Sequence, residues 1–281
     1  MTQRRPALRV ALEVGVAALA VAIAYRVTKP FTTADLDSAS TRKRALNLAL
    51  QASAQALPGT PDLQQLSQRL TAAGVALGAP VFVRIFKQEF ELEVWLKRDG
   101  RFERFAVYPV CNWSGRLGPK VREGDRQAPE GFYTVDAKSL NPNSRWHRSF
   151  NLGFPNAYDR AHGRTGSFLM VHGGCSSVGC FAMTDPVIDE IWQIVTAALG
   201  AGQKRFQVHV FPFRMTPSAL AAAEQHPQVA FWRTLQPAFD AFEASGQPPE
   251  IVVCHNRYKV NTGGRQPQVA SDAPLSAACA S

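Results

Sequence analysis

Two side chains in one short stretch define the chemistry this sequence can carry. Residues 168 to 185 read Phe-Leu-Met-Val-His-Gly-Gly-Cys-Ser-Ser-Val-Gly-Cys-Phe-Ala-Met-Thr-Asp. Phe168 to Val171 is a buried-strand pattern ending on His172, and a Gly/Ser-rich turn leads to Cys180, just ahead of an apolar, helix-like run. A thiol is a good nucleophile only as thiolate, and an imidazole within hydrogen-bond reach is the usual way to make one. The spacing predicts both groups at the ends of one tight loop, as a cysteine acyl-transfer site requires. Cys180 is then the nucleophile, and His172 the base that later protonates the leaving amine. The backbone N–H groups of Gly179 and Cys180 are expected to face a developing oxyanion, glycine allowing close approach. A backbone carbonyl suffices to fix the second ring nitrogen, so an acidic third member is not required.

The elements that must position this loop are mostly strands. Val81, Val83 and Ile85 alternate with Phe82, Arg84 and Phe86; Leu92, Val94 and Leu96 follow, and Arg98-Asp-Gly-Arg101 reads as a hairpin turn into a strand over 102–110. Residues 131–135 and 207–213 are further strands, and 251–254 a short last one. Between them lie two long irregular stretches, 115–129 and 141–166, of the length that usually carries function. Pro186 to Leu199, capped by Asp185, is a strong helix prediction; 217–225 and 229–243 are helices as well. Ahead of this domain, 30–80 reads as a helical spacer or lid. A helix from Asp37 or Ser38 runs to the break at Pro58-Gly-Thr-Pro61, and a second spans 62–73, with Leu63, Leu66 and Leu70 on one face. The predicted fold class is therefore α+β, a mostly antiparallel β catalytic domain over 81–260 with flanking helices, followed by a Gly/Pro/Ser/Ala-rich tail over 261–281.

The chain has 281 residues, 46% of them hydrophobic, enough for one good core, and a formal charge of +9. That charge favours acidic surroundings, but it is scattered through loops with no run of five or six, which argues against nucleic acid. Residues 1–29 set the compartment: Arg4, Arg5 and Arg9 precede an apolar stretch from Val10 to Ala24 broken only by Glu13. This is the pattern of an export signal. As a helix the stretch spans about 22 Å, short of a hydrocarbon core of about 30 Å; Leu8 to Tyr25 nearly crosses, so an uncleaved inner-membrane anchor stands beside a cleaved signal. Either reading puts the rest of the chain outside the cytoplasm, in the periplasm. Five cysteines, Cys111, Cys175, Cys180, Cys254 and Cys279, then sit in an oxidising space. An odd count leaves one unpaired, assigned here to Cys180; the pairing of the others is open.

With these pieces in place, the chain resembles the L,D-transpeptidase catalytic-domain (YkuD-type) family and, within it, the YafK-like branch. The resemblance runs from about Val81 to Tyr258. It includes Tyr108-Pro-Val-Cys-Asn-Trp-Ser-Gly115, Leu117-Gly-Pro-Lys120, Glu123-Gly-Asp-Arg-Gln-Ala-Pro-Glu-Gly-Phe-Tyr133 and Asn141-Pro-Asn-Ser144. It continues through Phe150-Asn-Leu-Gly-Phe-Pro-Asn-Ala-Tyr-Asp-Arg-Ala-His-Gly-Arg-Thr-Gly166, His172-Gly and Ser177-Val-Gly-Cys-Phe-Ala-Met-Thr-Asp185. The family implies a mostly β catalytic domain, of β-sandwich or barrel type, acting on peptidoglycan stem peptides in the cell envelope without a cofactor or metal. Its cysteine attacks the carbonyl at the L-centre of diaminopimelate, and the acyl-enzyme passes to an amine or to water. By this resemblance Cys180 is the nucleophile, His172 the base, and the Gly173 carbonyl orients the imidazole. Val178 stands where most of the family has a second His, and Ala182 where an Arg usually follows. Hydrolysis, including release of a peptidoglycan-linked lipoprotein, is therefore as credible as transpeptidation.

A stem peptide carries carboxylates, which arginine pairs with in bidentate fashion. Arg116, Lys120 and Arg126 from the first loop, Arg160 and Arg164 from the second, and Tyr158, His162 and Ser177 near the motif are the candidate substrate-binding residues; each arginine reads equally as a solvated charge or an internal ion pair. Four rivals compete. His172, Cys175 and Cys180 could ligate zinc, though paired C-x₂₋₄-C units are lacking. A Cys175–Cys180 disulfide would silence the site. A papain-like arrangement would need His209 or His226 as base. Last, a peptidoglycan-binding module with the same fold could lack turnover.

Overall fold

The computed structural model describes residues 33–261; the predicted signal or anchor over 1–29 and the tail beyond Asn261 lie outside the described residues. The first sheet is built where the sequence alternates with period two. Strands β1 (Val81–Phe86), β2 (Glu91–Arg98) and β3 (Arg101–Pro109) form an antiparallel meander. The β2–β3 hairpin closes on Asp99-Gly100, both at positive φ, as a tight two-residue turn demands. β5 (Gly131–Asp136) and β10 (Arg205–Phe211) complete the sheet in the order β3-β2-β1-β10-β5, with β1 and β10 parallel.

Every residue of β1 is buried, so both faces of the first sheet are covered. On one face Phe82 and Phe86 meet Phe242 and Phe239 of the helix α6 (Val229–Ser245). Arg84 lies among these rings, its charge answered by Glu93 at 2.9 Å and Glu243 at 2.6 Å. The other face carries the main core. There the helix α4 (Asp185–Gly200) buries Val187, Ile188, Ile191, Ile194 and Val195, and Phe150 from the second sheet packs on Phe206. Asp185 is not the N-cap: Thr184 holds that place, and Asp185 opens the first turn beside Pro186.

The second sheet is where structure and sequence reading part. Its order is β4 (Asn112–Trp113), β9 (Phe181–Ala182), β8 (Met170–His172), β7 (His147–Asn151) and β6 (Leu140–Ser144). The stretch 141–166 is thus not one irregular loop. It contains the β6–β7 hairpin and the short helix α3 (Ala157–Ala161). Cys180 does not open a turn running straight into α4 either, because β9 intervenes. A final hairpin, β11 (Glu250–Cys254) with β12 (Arg257–Asn261), extends the expected last strand. The architecture is α+β with mostly antiparallel sheets.

Residues ahead of β1 pack onto this body. Helix α1 (Thr33–Ala52) reaches it through Asn47, whose Nδ2 donates to the carbonyls of Val110 and Cys111 at 3.1 and 3.2 Å. Leu57 and Leu50 cover Cys111 and Cys175. Leu63–Gln65 is a 3₁₀ turn leading into α2 (Leu66–Ala72), whose Leu70 joins the main core. Helix α5 (Pro217–Ala222), capped by Thr216, completes the set. No helix among the described residues is long and apolar enough to cross a membrane.

Candidate active site

The parallel pairing of β8 with β9 sets the geometry of the two reactive side chains. Val171 lies opposite Phe181, and His172 opposite Ala182. Cys180 immediately precedes β9, and its thiol lies against the Met170 backbone of β8, the strand that ends on His172. Cys180 is half-buried and is the free cysteine of the described residues. Its Sγ accepts from the Met170 N–H at 3.4 Å and donates to the Phe168 carbonyl at 3.6 Å. Burial pushes the thiol above its ordinary range, with the Met170 N–H and the charge of Lys120 pulling the other way.

His172 is buried, and its Nδ1 lies 2.6 Å from the Gly173 carbonyl. A carbonyl accepts only, so Nδ1 carries the proton and Nε2 keeps its lone pair. Burial holds the ring below the ordinary imidazole range, partly offset by that hydrogen bond. The Trp146 ring lies 6.2 Å away, tilted by 30°. Gly173 is a close approach: a methyl there would sit 2.5 Å from Asp185 Oδ1, 3.0 Å from His147 Cβ and 3.1 Å from Ile188 Cγ2. Its N–H donates to the Trp146 carbonyl at 3.0 Å, and the Gly174 N–H donates to Asp185 Oδ1 at 2.7 Å.

Of the two expected oxyanion donors, that of Gly179 is already committed: its N–H donates to Ser114 Oγ at 2.5 Å. Gly179 has φ +103°, a conformation that suits glycine. Ser177 Oγ donates to the Cys180 carbonyl at 2.7 Å, bracing the turn from inside. The disulfide in this loop joins Cys175 to Cys111. That pairing removes the Cys175–Cys180 bridge from consideration and takes one sulfur from the zinc set.

The basic residues divide by environment. Arg164 is 2.8 Å from the fully buried Asp159 and stacks over Phe231. Tyr158 lies between the rings of His162 and Tyr258, at 4.0 and 4.2 Å, and the His162 Nδ1 reaches the Tyr158 carbonyl at 2.9 Å. Arg160 donates to the Pro155 carbonyl. These four hold 154–166 together. Lys120 is buried and pairs with Asp125 at 2.5 Å, near enough to bear on the Cys180 charge. Arg116 and Arg126 are exposed; the Arg126 carbonyl accepts from Ser114 Oγ at 2.7 Å. His209 is enclosed by Phe82 and Phe132, with Nε2 2.8 Å from Gln207 Oε1, and His226 stacks on Trp232, so neither sits beside the thiol loop.

Ser114, Asn112 and Trp146 also belong to the site, and the sequence alone gives none of them a role. Ser114 and Asn112 stood inside the Tyr108–Gly115 motif, which was the available signal. Trp146 had none beyond being a large aromatic in a polar loop.

The free thiol of Cys180 thus lies against the strand that ends on His172, whose imidazole is held at Nδ1. The chain belongs to the L,D-transpeptidase catalytic-domain family: residues 81–210 match the YkuD domain of that description. It is also 43% identical over 220 residues to the Escherichia coli K12 protein named "Putative L,D-transpeptidase YafK", covering 77% of this chain and 87% of that one. Among solved structures it is similar to the helical cell shape determining protein Pgp2 of Campylobacter jejuni, at 20% identity and TM-score 0.39, over 65% of this chain and 66% of that one. Bd1075 of Bdellovibrio bacteriovorus is similar at 17% identity and TM-score 0.34, over 58% and 60%.

Proposed function

We propose that this protein is a cell-envelope cysteine acyl-enzyme that cuts or transfers peptidoglycan stem peptides at diaminopimelate. The observation that carries the reading is the Cys180 thiol lying against β8 at Met170, on the strand that ends in His172, with Nδ1 held by Gly173 and Nε2 left basic. Burial disfavours both the thiolate and the imidazolium, so proton transfer to His172 accompanies attack on the carbonyl rather than preceding it. Sulfur bonds to the carbonyl carbon, and its proton passes to His172 Nε2. The imidazolium then protonates the leaving amine, and a thioester remains. Water or an incoming amine loses a proton to the same imidazole and releases the thiol. Val178 and Ala182 leave a single imidazole for these transfers, which suits water at least as well as an amine. Release of a peptidoglycan-linked lipoprotein is one such hydrolysis.

The test is incubation with purified peptidoglycan, with and without attached lipoprotein, followed by mass analysis of released muropeptides. Cys180→Ala should abolish turnover, and His172→Ala should lower it about 10²-fold or more. Wild-type rates from Cys180→Ala would end the assignment, and binding without any turnover by the wild type would leave a peptidoglycan-binding module instead.

A further inference from the structure

The loop from His172 to Cys180 is tied to the body unevenly. Its first half is secured by the Gly173 and Gly174 N–H bonds and by the Cys175 N–H, which donates to the Met183 carbonyl at 3.1 Å. In the second half Ser176 and Val178 are exposed, while Gly179 is buried. Segment 111–114 reaches the loop at Cys175, where the first half ends, and at Ser177 and Gly179 in the second. Cys111 is bonded to Cys175, with Cα atoms 5.3 Å apart across a sequence separation of 64. Asn112 Nδ2 donates to the Cys175 carbonyl at 3.5 Å. Ser114 Oγ accepts from Gly179 N–H and lies 3.2 Å from Ser177 Oγ. Trp113, paired with Phe181, fixes the residue on the other side of Cys180. The nucleophile is therefore bracketed at Gly179 and Phe181 by the same four residues that carry the disulfide.

We propose that the Cys111–Cys175 disulfide is a positioning element of the active site, anchoring segment 111–114 to the loop that presents the Cys180 thiol. It is sealed from solvent, with Cys111 fully buried and Leu57 and Leu50 packed over the bridge. The end of α1 and the segment after it thus act on the site through the cover that Leu50 and Leu57 lay on this bridge. A β4 of two residues has little ladder of its own. Without the covalent tie, the Asn112 and Ser114 contacts must hold a glycine-flanked loop by hydrogen bonds alone. The loop then opens, Cys180 gains solvent, and its geometry against His172 loosens.

The two consequences have opposite signs, which separates positioning from bulk stabilisation. The test uses the full chain with Cys111→Ser and Cys175→Ser together. Iodoacetamide modification of Cys180 is followed across pH and localised by fragment-ion mass mapping, beside turnover and a thermal melt. Solvation of the thiol lowers its pKa toward the ordinary range, so the folded variant should alkylate at Cys180 several-fold faster near neutral pH while turnover falls roughly tenfold or more. Alkylation rate and pH profile matching wild type in the folded variant would overturn the proposal. Where the double variant fails to fold, wild-type protein reduced until mass mapping finds Cys111 and Cys175 as free thiols, and shown still folded by circular dichroism, gives the same reading at Cys180: faster alkylation supports the tie and an unchanged rate refutes it. Alkylation needs no substrate, so this outcome stands apart from the peptidoglycan reading.

Discussion

The loop that supplies Ser114 rests on a buried ion pair, and its removal should be felt in stability first. Lys87 and Glu130 are both fully buried, 2.9 Å apart. Lys87 Nζ also lies within 2.9 to 3.1 Å of the carbonyls of Arg116, Gly118 and Ala128. Glu130 accepts from Gly118 N–H at 2.7 Å and Trp232 Nε1 at 2.8 Å. Lys87→Met leaves a carboxylate without its counter-charge, and Glu130→Leu leaves an ammonium and two donors, so each single change should cost about 3–5 kcal/mol. Gln127 Nε2 already donates to the Arg116 and Gly118 carbonyls at 2.5 and 2.8 Å, so the double variant strands mainly the two Glu130 donors. It should therefore cost less than the sum of the singles by about 2 kcal/mol. Urea unfolding of wild type, both singles and the double closes the cycle. Singles that each cost under about 1 kcal/mol and add would show a pair that water already solvates, and the argument for a rigid strap under Ser114 would fall.

Three further outcomes follow from the site itself. His172 must be neutral to take a proton, and burial lowers its pKa, so kcat/KM should fall only as pH drops below about 6.5; the Cys180 thiol is raised, so in His172→Ala its alkylation should climb only above about pH 8.5. An acid limb at or above neutrality, read from a pH–rate profile, would contradict the burial argument. Gly173→Ala puts a methyl against Asp185, His147 and Ile188, and should cost about 1–3 kcal/mol in a thermal melt and roughly tenfold or more in turnover; unchanged turnover would mean the Gly173 carbonyl does not set the imidazole.

What sequence could reveal tracks how local each signal is. β1 to β3 were legible because alternation and the Asp99-Gly100 turn agree. β6 was not: Leu140–Ser144 is a polar, largely exposed strand whose pairing shifts register, so no apolar period marks it. β4 and β9 are two residues each, below any periodic window. β12 alternates weakly around Tyr258. At the site, Cys180 and His172 are close in sequence and carry distinctive chemistry. Ser114 reaches Gly179 across 65 positions and Cys111 reaches Cys175 across 64, contacts between residue types too common to single out.

Two positions near the reactive pair, Ala182 and Val178, acquire a physical sense from the strand pairing. Ala182 is fully buried and sits opposite His172 on the shared face. An arginine there would bring a positive charge beside a ring that must itself become positive, and would oppose the proton transfer on which attack depends. Alanine removes that opposition at a site where burial already disfavours the imidazolium. Val178 is 71% exposed at the rim; a side chain there meets solvent or substrate, and valine neither donates nor accepts a proton. On the proposed mechanism one imidazole serves both halves of the reaction, so any second nucleophile must approach the same Nε2 that the leaving amine has just vacated. On that mechanism water needs less displacement than a tethered amine, and the exposed apolar side chains Val178, Phe168 and Trp146 lie near the thiol and its base to bias that choice.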